Sequence, residues 1–323
     1  MTGPSRVVVT GRVPRPGLDI LRRDGHRVEV WDSEDQQPRE QLLEQVRGAD
    51  ALMTLLTEQV DAELLDAAGP QLKVVANVAV GYNNVDVDAC RERGVVATNT
   101  PGVLTDATAD IAMALILMTT RRLGEGERVI RSGTPWQWGM FYLLGTSLQH
   151  KTLGVVGLGA IGAATARRAR AFGMNVIYTS RSSAARELET ELGTHRVDMD
   201  TLLAQSDVVS LHCPYSSSTH HLLSTEQFAA MRPSAHVVNT ARGAVIDEAA
   251  LVEALREGEI AGAGLDVFEE EPAVHPGLLE CDNAVLLPHL GSATIETRTA
   301  MATLAADNVA AVLAGREPPT PIG

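Results

Sequence analysis

Between residues 157 and 162 the chain reads Gly157-Leu158-Gly159-Ala160-Ile161-Gly162, a G-x-G-x-x-G spacing whose chemistry is the binding of a dinucleotide pyrophosphate. Such hexapeptides arise by chance, and the pattern gains meaning where a strand precedes it and a helix follows. Here the apolar run 153–156 comes before it and an Ala-rich helical segment, 160–172, comes after. In that setting Gly157 permits the tight turn, Gly159 lets the backbone approach the pyrophosphate, and Gly162 lets helix and strand pack closely. The helix N-terminus, with Leu158, Ala160 and Ile161 between the glycines, offers free N–H groups to the anion. Units that take NAD carry an acid ~20 residues on, accepting from the ribose hydroxyls. This chain has Tyr178-Thr179-Ser180-Arg181-Ser182-Ser183 there, and no acid until Glu187. Ser180, Arg181 and Ser182 suit a 2′-phosphate, so NADPH is expected in preference to NADH; an ordinary surface charge is the other reading of Arg181.

The elements that must position these residues alternate between two kinds. Short β-rich runs lie at 6–10, 27–31, 51–55, 72–78 and 95–98, with apolar residues at helical spacing between them, as in 40–46 and 61–68. After Asn99-Thr100-Pro101-Gly102 the pattern changes. Residues 105–122 lack Gly and Pro and predict one long buried helix, followed by a looser stretch, 124–149, that holds Trp136 and Trp138. Strand–helix alternation then resumes, with strands expected at 152–157, 175–179, 207–212, 236–239, 263–267 and 284–287. A last helix, 293–314, stops at Gly315 with prolines beyond. Repeated strand–helix–strand units imply parallel sheets covered by helices, an α/β fold.

Composition narrows the function classes. The chain has 323 residues, enough for two domains, with 27 Lys plus Arg against 41 Asp plus Glu and a net charge of −14. Nucleic acid is not an expected partner, since phosphate neutralisation supplies most of such affinity and no basic run is present. Cys90, Cys213 and Cys281 lie far apart, without disulfide-framework or zinc spacing. No metal is expected: the histidines, His220-His221 included, show no ligand spacing with carboxylates or cysteines. Charged residues interrupt the first thirty positions, and the most apolar stretch, 111–118, falls short of the ~20 residues of a membrane helix. A cytoplasmic protein with reduced thiols, and without membrane association, is expected.

Several motifs in order carry a resemblance. They are Asn77-Val78-Ala79-Val80-Gly81-Tyr82-Asn83-Asn84-Val85-Asp86, residues 99–110, the glycine loop, Asn239-Thr240-Ala241-Arg242-Gly243, Gly264-Leu265-Asp266-Val267-Phe268-Glu269-Glu270-Glu271-Pro272 and Pro288-His289-Leu290-Gly291-Ser292-Ala293-Thr294. From about Val7 to the C-terminus the chain resembles the D-2-hydroxyacid dehydrogenase family, and within it the glyoxylate/hydroxypyruvate reductase branch. The resemblance implies two Rossmann-like or flavodoxin-like parallel-sheet domains with an active-site cleft between them. Residues 1–100 and 290–323 would bind substrate and 101–289 the dinucleotide. It also implies a catalytic set of Arg242, Glu271 and His289. The residue types fit the reduction of a small 2-oxo acid, which needs a hydride at the carbonyl carbon and a proton at its oxygen. His289 is the natural acid, Glu271 would favour its imidazolium and orient the ring, and the fork of Arg242 can hold a carboxylate and polarise the ketone.

By the same resemblance Val80 and Gly81 receive the substrate carboxylate through backbone N–H groups, with Arg242 and His289 completing the substrate site. Thr105, His212, Cys213, Pro214, Thr240, Ala241, Asp266 and Gly291 match cofactor-site positions. Trp136 and Trp138 match a segment that lies at the subunit contact in relatives, so a homodimer is expected. Leu55, Leu56 and Val78 bear on pocket size. Other reductases of the family, such as 2-ketogluconate reductase or phosphoglycerate dehydrogenase, and the cofactor-sensing corepressors that share the fold are the competing readings.

Overall fold

A computed structural model describes residues 4–33 and 35–322. The chain divides into two compact units, Met1–Leu104 with Ala293–Gly323, and Thr105–Ser292. The chain thus changes unit after Leu104 and Ser292, where residues 100 and 289 were expected.

The first unit holds β1 (Arg6–Val9), β2 (Arg27–Val30), β3 (Ala51–Thr54), β4 (Val74–Asn77) and β5 (Val96–Thr98), all parallel, in the order β2-β1-β3-β4-β5. Alternate side chains serve opposite faces: Val7 and Val9 pack with Leu21, Met53 and Val309, whereas Val8 packs with Leu52, Leu64 and Val75. Burial on both faces is why these strands read as continuous apolar runs. The helix Ile295–Leu313 covers the first face beside the helix Arg15–Arg23, so the last long helix of the chain closes the core of the first sheet. Thr294 starts it, its hydroxyl accepting the Thr297 N–H at 3.0 Å, which makes the helix two residues shorter at its start than the expected 293–314.

The second unit holds β6 (Thr152–Val156), β7 (Asn175–Thr179), β8 (Val208–Leu211), β9 (His236–Asn239), β10 (Gly262–Leu265) and β11 (Ala284–Leu286) in the order β11-β10-β9-β8-β6-β7, again all parallel. From β6 the chain goes one way to β7 and the other way to β8 and onward, so the strand order reverses at β6. Open α/β sheets place ligands at the C-terminal end of such a switch point, and the glycine loop leaves β6 there. A lone parallel bridge between Tyr178 and Arg196 adds a vestigial strand outside β7.

Two expectations need correction. The helix expected over 105–122 spans Thr105–Thr120. A continued helix would have the Thr120 carbonyl accept from Gly124; instead it accepts the Thr146 N–H at 2.8 Å, and Arg122 turns left-handed at φ 53°. The stretch read as loose then contains a second helix, Leu123–Arg131. Gly124 and Gly126 lower its intrinsic propensity, and none of its residues is buried. Among the described residues no helix is long and apolar enough to cross a membrane.

Candidate active site

Because β9, β10 and β11 are neighbours in the sheet, the loops that leave their C-terminal ends lie side by side, and each carries one of the three expected catalytic residues. Arg242 follows β9. The buried Asn239 at the end of that strand braces the turn, accepting the Ala241 N–H at 2.9 Å and donating to the Arg242 carbonyl at 2.9 Å. The guanidinium donates to the Ala241 carbonyl at 2.7 Å and forms no ion pair among the described residues. Burial pushes its pKa below the ordinary value, against the opposing charge of Glu271. Gly243 comes next, with its Cα so close to the Phe268–Glu269 peptide that a side chain has no room. That glycine lets the loop after β9 touch the loop after β10.

Glu271 and His289 meet as a pair, Oε2 to Nδ1 at 2.7 Å, and both side chains stay partly open to solvent. The second carboxylate oxygen accepts the Phe268 N–H at 3.0 Å. Burial alone would raise the Glu271 pKa, yet the His289 imidazole, that N–H and the Arg242 charge together hold it below the usual carboxylate range. An ionised carboxylate can only accept, so Nδ1 carries the shared hydrogen and Nε2 remains for a ligand. His289 itself is left-handed, φ 54°. Its turn is held by Asp266 at the end of β10, a fully buried carboxylate that accepts the Leu290 N–H at 2.6 Å and the Gly291 N–H at 2.8 Å. Burial raises the Asp266 pKa and these two bonds oppose the rise. Gly291 also gives its carbonyl to Thr108 Oγ1 at 3.1 Å.

The glycine loop separates three physical roles. Gly157 is left-handed at φ +95°, and a Cβ there would press on the His212–Cys213 backbone. Gly162 packs on the Gly157 carbonyl with no space for a Cβ. Gly159 faces open space, so no protein atom requires its small size. It caps the helix Ala160–Ala171 without a side chain, and the N–H groups of Leu158, Gly159, Ala160 and Ile161 donate to no acceptor among the described residues. Open room at Gly159 beside unpaired donors fits the pyrophosphate of a dinucleotide.

Around that loop, His212 bonds Ser210 through Nε2 at 2.8 Å, its Nδ1 is buried without a partner, and burial pushes its pKa down to about 4. Burial also drives the Cys213 thiol up to about 11, so it is not a thiolate at neutral pH. Pro214 is exposed, Thr105 opens the helix Thr105–Thr120, and the Thr240 hydroxyl beside Ala241 is buried without a partner. At the end of β7 the buried Tyr178 hydroxyl takes the Ala184 N–H at 2.8 Å and donates to Glu189 at 2.5 Å, which fixes the turn between. Within it Ser180 Oγ donates to the Ser182 carbonyl at 2.8 Å and Arg181 stands exposed. Sequence reasoning missed Arg196, whose guanidinium reaches the Arg181 carbonyl at 3.4 Å. It lies outside every motif window, and only the bridge to Tyr178 brings it there.

Val80 and Gly81 belong to the first unit, in the loop after β4. Trp136 and Trp138 are exposed, the first stacked on Tyr142 with ring centroids 6.3 Å apart. Among the described residues no group of three His, Cys, Asp or Glu side chains could hold a metal ion.

Comparison with known proteins gives the family. Residues 113–291 match the model of the D-isomer specific 2-hydroxyacid dehydrogenase NAD-binding domain. A glyoxylate reductase of Thermococcus onnurineus is 49% identical over 320 residues, covering 98% of this chain and 95% of its own. The crystal structure of the TT0316 protein from Thermus thermophilus superposes with a TM-score of 0.92 at 46% identity, covering 98% of this chain and 100% of that one. An NADPH-dependent glyoxylate/hydroxypyruvate reductase of Sinorhizobium meliloti, in complex with NADP and malonate, gives 0.86 at 36% identity, covering 100% and 97%.

The Gly243 contact leads to a direct test. Gly243→Ala forces the Arg242 and Glu271 loops apart, and a misplacement of ~1 Å can cost ~10²-fold in rate. A fall of about that size in kcat, measured beside a thermal melt that shows the variant folded, is the expected outcome.

Proposed function

Because the chain belongs to the D-isomer-specific 2-hydroxyacid dehydrogenase family, we propose that it reduces a small 2-oxo acid, glyoxylate or hydroxypyruvate, to the D-2-hydroxy acid with NADPH. The observation that carries the reading is the 2.7 Å His289–Glu271 pair, beside an Arg242 cation that forms no ion pair among the described residues and feels the Glu271 charge. When bound, the reduced nicotinamide supplies the hydride that adds to the carbonyl carbon. His289 transfers the Nε2 proton to the carbonyl oxygen, which completes the hydroxyl group. Glu271 holds the ring and stabilises its charged form before the transfer. Arg242 takes the substrate carboxylate and polarises the ketone, a task its planar fork performs and an ammonium does not. The first unit is the substrate domain, in which the N–H groups of Val80 and Gly81 receive a carboxylate; the second is the dinucleotide domain.

In that domain residues 157–162 hold the pyrophosphate. Thr105, His212, Cys213, Pro214, Thr240, Ala241 and Gly291 line the cofactor, with Asp266 acting through the turn it braces. Ser180, Arg181, Ser182 and the adjacent Arg196 face the 2′-phosphate. The protein works as a homodimer. Supporting this, residues 130–144 expose Trp138 to 74% and Phe141 to 87%, together with Ile130, Met140 and Leu144, a gathering of large exposed apolar side chains in one segment that a subunit contact would cover.

Three measurements test the reading. His289→Asn should lower kcat by ~10²–10⁴ with cofactor affinity retained, and near-normal turnover would move the proton donor elsewhere. For the cofactor, a charge-assisted bond is worth about 1.5–3 kcal/mol and each 1.4 kcal/mol is tenfold. A kcat/KM preference for NADPH of roughly ten- to a hundredfold is expected, which Ser180→Asp with Arg181→Ala should erode; a wild-type preference for NADH would refute the assignment. Light scattering should give twice the chain mass, and Phe141→Asp should give monomers; a monomeric wild type would end the dimer proposal.

A further inference from the structure

The loop after β4 has an unusual hydrogen-bond pattern. Three successive carbonyls are taken from within the first unit: Ala79 by the Thr100 N–H at 2.9 Å, Val80 by Asn99 Nδ2 at 2.8 Å, and Gly81 by Asn77 Nδ2 at 3.0 Å. In a trans peptide the C=O of one residue and the N–H of the next point in opposite directions. Fixing these carbonyls therefore turns the N–H groups of Val80, Gly81 and Tyr82 away from the protein anchors. None of the three donates to any acceptor among the described residues.

The anchors are themselves anchored. Asn77 is buried, and its amide exchanges bonds with Asn84, Nδ2 to Oδ1 at 3.2 Å and back at 3.3 Å. Asn84 in turn donates to the carbonyls of Leu55 and Glu58 at 3.1 and 2.9 Å. Asn99 is held at both backbone ends by one residue near the C-terminus: its N–H donates to the Thr320 carbonyl at 3.3 Å and its carbonyl accepts from Thr320 Oγ1 at 2.6 Å. Thr320 is bonded to the fully buried Asn308, which donates to it at 2.8 Å and accepts its N–H at 3.0 Å.

We propose that Asn99 and Asn77 are positioning residues for the substrate carboxylate, that Thr320 sets Asn99, and that the Tyr82 N–H is a third donor beside those of Val80 and Gly81. This rests on the 2-oxo acid reading above. The clamp leaves the anion with pre-aimed donors, so ordering the loop costs little when the carboxylate arrives. Nothing in it touches the reacting carbonyl, so its effect belongs in carboxylate affinity rather than in the chemical step.

The test uses the NADPH-loaded chain with glyoxylate, its uncharged amide, and oxamate as a non-reacting carboxylate. Asn99→Ala should raise the KM for glyoxylate about tenfold or more, leave the KM for the amide and the Kd for NADPH within about threefold, and weaken oxamate in calorimetry by the factor seen in KM. Thr320→Val, which keeps the Asn99 amide, should reproduce the pattern more weakly and stands in if Asn99→Ala does not fold. Equal losses on glyoxylate and its amide, or no change in either, would overturn the proposal, since a merely structural role lowers both together. A wild-type chain that binds oxamate but reduces no 2-oxo acid would overturn the functional reading and leave the clamp to be judged by oxamate alone. A wild type that does not bind oxamate would overturn both.

Discussion

The active-site edge of the second unit depends on one buried carboxylate. Asp266, at the end of β10, accepts the N–H groups of Leu290 and Gly291 in the loop after β11. Each charge-assisted bond of this kind is worth about 1.5–3 kcal/mol. A left-handed non-glycine residue costs roughly 1–2 kcal/mol, so the pair of bonds exceeds the strain of His289 at φ 54°. That brace holds the turn of the loop after β11 from which His289 meets Glu271 of the loop after β10. Burial raises the Asp266 pKa, and the backbone donors on both of its oxygens oppose that rise.

The two sheets share a design. Each runs second strand, first strand, third strand and onward, and each presents its ligand-facing backbone where strands end. They leave backbone donors free in different ways. In the second unit the donors are the opening N–H groups of a helix, freed because a helix start has no partners for them. In the first unit no helix start is used; side-chain amides from Asn77 and Asn99 take the carbonyls of the loop after β4 and leave its N–H groups unspent. Glycine enters where backbone must approach backbone: Gly157 against His212–Cys213 and Gly243 against Phe268–Glu269.

Charge acts locally here. A chain with a net charge of −14 nonetheless gathers Arg242 at one strand end and Arg181 with Arg196 at another. Exposed charges further than ~10 Å away are largely screened at ordinary salt, so the acidic total does not cancel these cations. Burial sharpens the effect at Arg242, whose nearest compensating charge is the Glu271 that also faces His289.

Much of this was readable in the chain itself, for local reasons. Strands buried on both faces appear as short apolar runs, so all eleven were placed to within a few residues, and the glycine spacing between β6 and its helix announced a dinucleotide loop because those demands are met by consecutive residues. Arg242, Glu271 and His289 stood out only through the resemblance of the motifs that carry them, since a lone Arg, Glu or His past a strand end is locally ordinary. What the sequence could not show are relations between residues distant in the chain. The helix Leu123–Arg131 has two glycines and no buried face, and the end of the helix before it is decided by Thr146 bonding the Thr120 carbonyl. Asp266 reads as a site residue in sequence, but its role as a brace exists only because β10 and β11 are adjacent. Arg196 reaches Arg181 only through a one-residue bridge to β7, and Asn99 reaches Val80 only because β4 and β5 pair and Thr320 holds it. Local backbone chemistry writes itself into neighbouring residues; hydrogen bonds between strand ends are set by the order in which the sheet assembles.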